Sequence, residues 1–292
     1  MLCLAALSQA TRSITISTEP SATVWIDGVR YGKTDSSGKL AIKTVAAGGH
    51  TLRVRADGFK EKTQPLTAAQ RGDLKIALVK TTDDAELAFQ EAERLTTVDR
   101  EKSAEAYKRA VSLRPGYLDA HIALARILSE AGDLDEAMKA VAATRRLRPG
   151  LAEASAIEGR IHKETGEESK AIAAFKRAIT EGRGFQPEAY TGLGLLYKEK
   201  AEGSAGSGDF DHEEANYAES TKYLKIALKQ LSGAPDAMII YQLLGLIFER
   251  QRKPAEAIAV YEEFLRFFPE TVEAEAVRSF IVQLKKDQLS PK

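Results

Sequence analysis

The chain has 292 residues, 43% hydrophobic and 29% charged, with 42 Lys and Arg balanced by 42 Asp and Glu. That balance excludes a global field of the kind that draws a protein onto nucleic acid or an anionic membrane, and no apolar run reaches the ~20 residues of a membrane-spanning helix. With a single cysteine, Cys3, an internal disulfide is excluded and the compartment is left open.

The first residues, MLCLAALSQA, join an apolar stretch to small residues at Ser8 and Ala10. They match the end of a secretory signal whose basic start and longer apolar core are missing. Residues 1–11 are read as a truncated signal segment, which makes a periplasmic or otherwise exported protein the expectation and a cytoplasmic one the alternative. Cys3 as the remnant of a lipoprotein cleavage site is a further alternative, for which Met1-Leu2 do not by themselves make up the box.

From Ser13 the pattern alternates, with Ile14, Ile16, Val24 and Ile26 on one face and Trp25 and Asp27 on the other, as in half-buried strands. Asp27-Gly28 signals a hairpin, because both residues tolerate positive φ. Further strands are expected at Leu40 to Val45, around Leu52 and Val54 after the Gly48-Gly49 turn, and at Leu74 to Val79. Short strands at about ten-residue spacing describe a small sandwich or barrel. Trp25 is expected to pack on the inner face or at an edge, because so small a unit has little core to spare. His50, beside two glycines and with no second ligand-type residue near it, reads as a turn residue.

EPSATVWIDGVRYGKT followed by VAAGGHTLRVRADGFK resembles the PEGA domain. The matching positions are Pro20, Ala22, Val24, Ile26, Asp27, Gly28, Gly32, Thr34, Gly48, His50, Leu52, Val54, Gly58 and Phe59, with Ser21 where the family has glycine. The resemblance covers residues 12–80 and implies a non-catalytic β-sandwich module of the kind found on exported bacterial proteins.

Thr81, Thr82, Asp83 and Asp84 end the strand pattern and cap an expected helix at Ala85. A period of 34 follows: Gly132, Ala137 and Val141 recur as Gly166, Ala171 and Phe175, and Pro149 lies 34 after Pro115. Such a period marks a solenoid of helix pairs, each burying its apolar face on its neighbours. The placing of small and large residues resembles the tetratricopeptide repeat (TPR). It divides residues 84–270 into about five repeats, 84–117, 118–151, 152–185, 187–234 and 238–271, with a capping helix over 271–286. Two repeats are irregular. The first has Glu91 where a small crossing residue belongs, and the fourth carries an insertion, 201–214 (AEGSAGSGDFDHEE), expected to lengthen the turn between its helices. The expected fold class is therefore multidomain, a small N-terminal β-sandwich followed by an all-α TPR superhelical solenoid.

No arrangement of residues suggests a reaction. GLGLLY at Gly192 has no preceding strand, so it is not a dinucleotide loop, and Gly194 falls on a helix-crossing position. DFDHEE does not have calcium-loop spacing and reads as a solvated acidic loop. The sequence has no HExxH, paired-cysteine, Walker or G-x-S-x-G motif. The chain is expected to be no enzyme and to use no cofactor or metal.

What remains is surface. In TPR arrays the first helices of each repeat line a concave groove, which the resemblance extends here to Arg126, Arg160, Lys163, Lys198, Leu195, Ile239 and Leu246. The cations would form a stripe able to hold a peptide carboxylate. Alternatively, Glu130, Glu164 and Glu199 neutralise them. The carboxylate clamp of the chaperone-binding subfamily is absent. The expected function is a non-enzymatic scaffold binding a protein or peptide in this groove, peripheral to a bacterial cell envelope, with no nucleic acid and no membrane span. A regulatory or sensory module in a bacterial signalling system is the alternative.

Overall fold

The computed structural model describes residues 11–289; the expected signal features Cys3, Ser8 and Ala10 lie outside them. The chain divides into two units: the residues through Leu87 together with Ser232–Asp236, and Ala88–Leu231 together with the residues from Ala237 onward.

The first unit is a two-sheet sandwich. One sheet has the order β4-β1-β7, from β4 (Lys39–Ala46), β1 (Thr11–Ser17) and β7 (Gly72–Lys75). The other has the order β3-β2-β5-β6, from β3 (Val29–Lys33), β2 (Thr23–Ile26), β5 (His50–Arg55) and β6 (Lys62–Leu66). Ile14, Ile16, Val24, Ile26, Ile42, Val45, Leu52 and Val54 fill the space between the sheets, because alternate side chains of each strand point inward. Asp27 (φ 50°) and Gly28 (φ 80°) form the β2–β3 turn. Asp27 also accepts a hydrogen bond from the Thr51 amide (2.8 Å) and lies 2.6 Å from His50 Nδ1, while His50 Nε2 donates to the Ala46 carbonyl (2.9 Å). His50 therefore ties the turn to β5.

Three features of this unit differ from expectation. Trp25 is buried but not in the sandwich core: it pairs across strands with Arg53, whose guanidinium covers the indole at 4.3 Å, an arrangement favourable to the aromatic face. The last strand is shorter and earlier than Leu74 to Val79. It runs parallel to β1; beyond it the Ile76 amide donates to Ser17 O (2.8 Å), and Val79 O accepts from the Lys60 amide (2.7 Å) next to an isolated Phe59–Lys80 bridge. Strand β6 was not expected, since it is mostly polar and contains Pro65. It lies at the sheet edge, where a missing N–H is tolerated.

The helices run α1 (Asp84–Leu95), α2 (Arg100–Leu113), α3 (Leu118–Ala131), α4 (Leu134–Leu147), α5 (Ala152–Glu164), α6 (Glu168–Glu181), α7 (Pro187–Gly206), α8 (Phe210–Leu231), α9 (Ala237–Arg250), α10 (Pro254–Phe267) and α11 (Glu273–Leu289). Ser103 Oγ donates to Ala92 O (2.9 Å) as Ser220 Oγ donates to Gly194 O (2.7 Å). The close crossing of α1 on α2 therefore uses Ala92, with Glu91 displaced to the rim and paired with Arg109.

The insertion 201–214 does not lengthen a turn. It continues α7 to 20 residues and starts α8 early, giving that helix 22. The turn is confined to residues 207–209, where Gly208 has φ 77° and Asp209 caps α8 by accepting from the His212 amide (3.2 Å). Ala201 and Tyr217 are fully buried between the added turns, so helix pairing outweighs the glycine content of the segment.

Short connections inside helix pairs need a left-handed residue. Gly132 (φ 85°) and Gly166 (φ 74°) supply it, and at the equivalent place after α9 stands Arg252 (φ 55°). An L side chain held there costs about 1–2 kcal/mol, partly offset by the roughly 0.5–1 kcal/mol of extra chain entropy that glycine loses on folding. Arg252→Gly is expected to raise stability by about 0.5–1 kcal/mol, read as a higher urea midpoint.

Candidate peptide-binding face

The expected groove residues lie on the first helices of successive pairs. Arg126 on α3 reaches across α5 to Glu188 on α7 at 2.7 Å, and Arg160 on α5 lies 3.5 Å from Glu130 and 3.8 Å from the same Glu188. Arg126 thus spans α5, and the three first helices α3, α5 and α7 share one face on which these charges meet. Lys163 on α5 meets Glu199 on α7 (2.7 Å), and Lys198 meets Glu202 (2.8 Å). Lys163 also lies 3.8 Å from Glu164, so every one of the four cations has a carboxylate, and Glu130, Glu164 and Glu199, the three residues that the sequence offered for neutralisation, are all among the partners. Glu188→Gln should remove the shared anion and cost about 1 kcal/mol, the scale of half-exposed pairs, in chemical unfolding.

The apolar part of the face is open. Ile239 and Leu246 lie seven residues apart on one side of α9, with more than half of each side chain exposed, and Leu195 on α7 is half-buried. Helix α3 packs beside α5 and α5 beside α7, but α9 makes no comparable contact with α7 and packs on α8 and α10 instead. One end of that gap is bridged by Arg250 on α9, 3.6 Å from Glu202 on α7.

A polar network that the sequence reading missed occupies the α4–α5–α6 layer. Ser155, fully buried, donates to Glu181 (2.5 Å) and accepts from Arg145 (2.9 Å) and Arg177 (3.1 Å). Glu158 pairs with Arg145 and with Arg177 (2.8 Å), and His162 Nδ1 lies 2.7 Å from Glu167. Hydrogen bonds from Lys170 and His162 hold the Glu167 carboxyl down at about 2. The signal for it was present: Ser155, Glu158 and His162 occupy the i, i+3, i+7 row that α7 fills with Tyr190, Leu193 and Tyr197. Ser155 and His162 stand two turns apart, about 10 Å along the helix, so they do not form a nucleophile and base. Among the described residues no group of three or more His, Cys, Asp or Glu could hold a metal, and no helix is long and apolar enough to cross a membrane.

Comparison with protein families gives a PEGA domain at residues 11–82 and tetratricopeptide repeats at 99–161 and 213–270. The chain is a PEGA domain followed by a TPR array. Among solved structures, yeast Tom70 is similar at 16% identity over 71% of this chain and 41% of that one, with TM-score 0.54. A thermophilic TPR protein of Thermus thermophilus is similar at 16% identity over 70% and 100%, TM-score 0.49. MamA is similar at 19% over 67% and 96%, TM-score 0.43. At such identities the likeness speaks for the fold alone. No curated protein matches the chain.

The TPR fold accounts for the glycines of GLGLLY. A Cβ on Gly192 would come within 2.4 Å of the Phe175 ring, and one on Gly194 within 2.6 Å of Leu224. Both positions serve helix packing, and the PEGA/TPR protein belongs by its repeats to a protein-interaction fold.

Proposed function

We propose that this PEGA/TPR protein is a non-enzymatic scaffold that binds a protein or peptide along the face of α3, α5, α7 and α9, and that it works outside the cytoplasm at a bacterial cell envelope. The observation that carries the binding reading is the contrast on that face: its cations are joined to carboxylates, while Ile239 and Leu246 stay more than half exposed on α9, which does not pack on α7 as α3 packs on α5. A surface helix that leaves two leucine-sized side chains one above the other in solvent leaves apolar area for a partner to bury. Export rests on the apolar LCLAAL start and on the PEGA domain, which is compatible with an extracytoplasmic protein.

Benzoylphenylalanine placed at position 246 is expected to crosslink a partner in intact cells, and the same group at Leu147, exposed on the second helix of its pair, is not. Equal crosslinking from both positions would sink the groove assignment. Export is tested separately by fusing alkaline phosphatase, which needs disulfides and so an oxidising compartment, to the full chain. Enzyme active only in lysed, oxidised extracts would place the protein in the cytoplasm.

A further inference from the structure

Resting on the groove reading above, we propose that the bound segment presents an apolar anchor next to a lysine or arginine, and not a carboxylate. The cations of the face are already engaged: Arg126 and Arg160 by Glu188 and Glu130, Lys163 by Glu199, and Lys198 by Glu202. A ligand carboxylate would have to displace groups of the same charge that are tethered in place, which compete at high effective concentration. The unmatched charge of the face is negative. Glu153 on α5 feels the Arg126 charge, but among the described residues Glu249 on α9 has no cation within ion-pair distance and uses Oε1 to accept the Tyr261 hydroxyl (2.5 Å), leaving Oε2 for a second donor.

Glu249 stands one turn beyond Leu246 on α9, and Ile239 two turns before it, with Leu195 on α7 across the gap. A leucine-like anchor on Leu246 and Ile239 would therefore place its neighbour within reach of Glu249. A long basic side chain can lay its stem on apolar surface while its head bonds a carboxylate. Charge and apolar surface thus point to one occupant, a basic-apolar protein segment.

The test is selection of a random dodecapeptide library, displayed on phage, on the immobilised full chain. The enriched peptides are expected to carry an apolar residue beside Lys or Arg. A synthetic consensus peptide should bind about tenfold or more weakly to Leu246→Asp, and should lose its basic preference on Glu249→Gln, which keeps an acceptor for Tyr261. Circular dichroism checks that both variants are folded. An acidic consensus that still depends on Leu246 would overturn the charge assignment and leave the groove standing. A consensus indifferent to Leu246→Asp, or no enrichment at all, would overturn the groove reading and this inference together.

Discussion

Phe175→Ala is expected to lower the stability of the helical array by about 3–5 kcal/mol, the range for emptying a buried aromatic site. Phe175 is 1% exposed and lies among Ala156, Ala171, Ala178, Ala189, Leu193 and Leu196. Its ring also fills the space that Gly159 on α5 and Gly192 on α7 leave open: a Cβ on either would fall within 2.6 and 2.4 Å of it. Four of these six neighbours are alanines, which like the two glycines have no side-chain reach with which to collapse into the void, so the cost belongs at the upper part of the range. Because each layer of a solenoid is held only by its neighbours, the loss should also divide the cooperative transition at α5–α7. Urea unfolding followed by circular dichroism reads both effects, and a loss under about 1 kcal/mol would show that the ring is not the wedge between these layers.

Gly192→Ala carries an opposite sign from the one helix propensity gives. In the middle of an exposed helix the change stabilises by about 1 kcal/mol. Here the new methyl would stand 2.4 Å from Phe175 Cζ and 2.5 Å from Cε1, so the ring or the helix must move, and such overpacking costs about 1–3 kcal/mol. The coupling is testable by a double-mutant cycle: with Phe175→Leu in the background, Gly192→Ala should recover much of its propensity gain. Additive effects would contradict the contact. Gly245 makes the same argument independently, since its Cβ would lie 2.3 Å from the Tyr261 ring.

These two sites show where the sequence was most legible. Phe175 and the crossing glycines Gly159, Gly194 and Gly245 stand out through the 34-residue period, and the PEGA turn through Asp27-Gly28, because both depend on local spacing that backbone geometry enforces. Legibility fails where a tertiary contact outvotes a local one. The glycines and serines of 201–208 suggested a loop, yet the burial of Ala201 and Tyr217 carries both helices through the segment. Strand β6 was hidden by Pro65 and its polar residues, which only an edge position permits. On the face of α3, α5 and α7 the positions could be named, but their charges could not be apportioned: the Arg126–Glu188 pair joins residues 62 apart across α5, and that reach is not written in any one repeat. The Ser155 network stayed unseen for a related reason, since its polar row stands where α7 and α9 carry Tyr190, Leu193, Tyr197 and Tyr241, Leu244, Phe248.

The central claim is that a partner lies against the first helices of the array. Hydrogen exchange of the full chain, measured alone and with the partner captured by crosslinking at position 246, tests it most directly. Slower exchange in α7 and α9, with α8 and α10 unchanged, is the predicted result. Protection confined to α8 and α10, or to the PEGA domain, would contradict it.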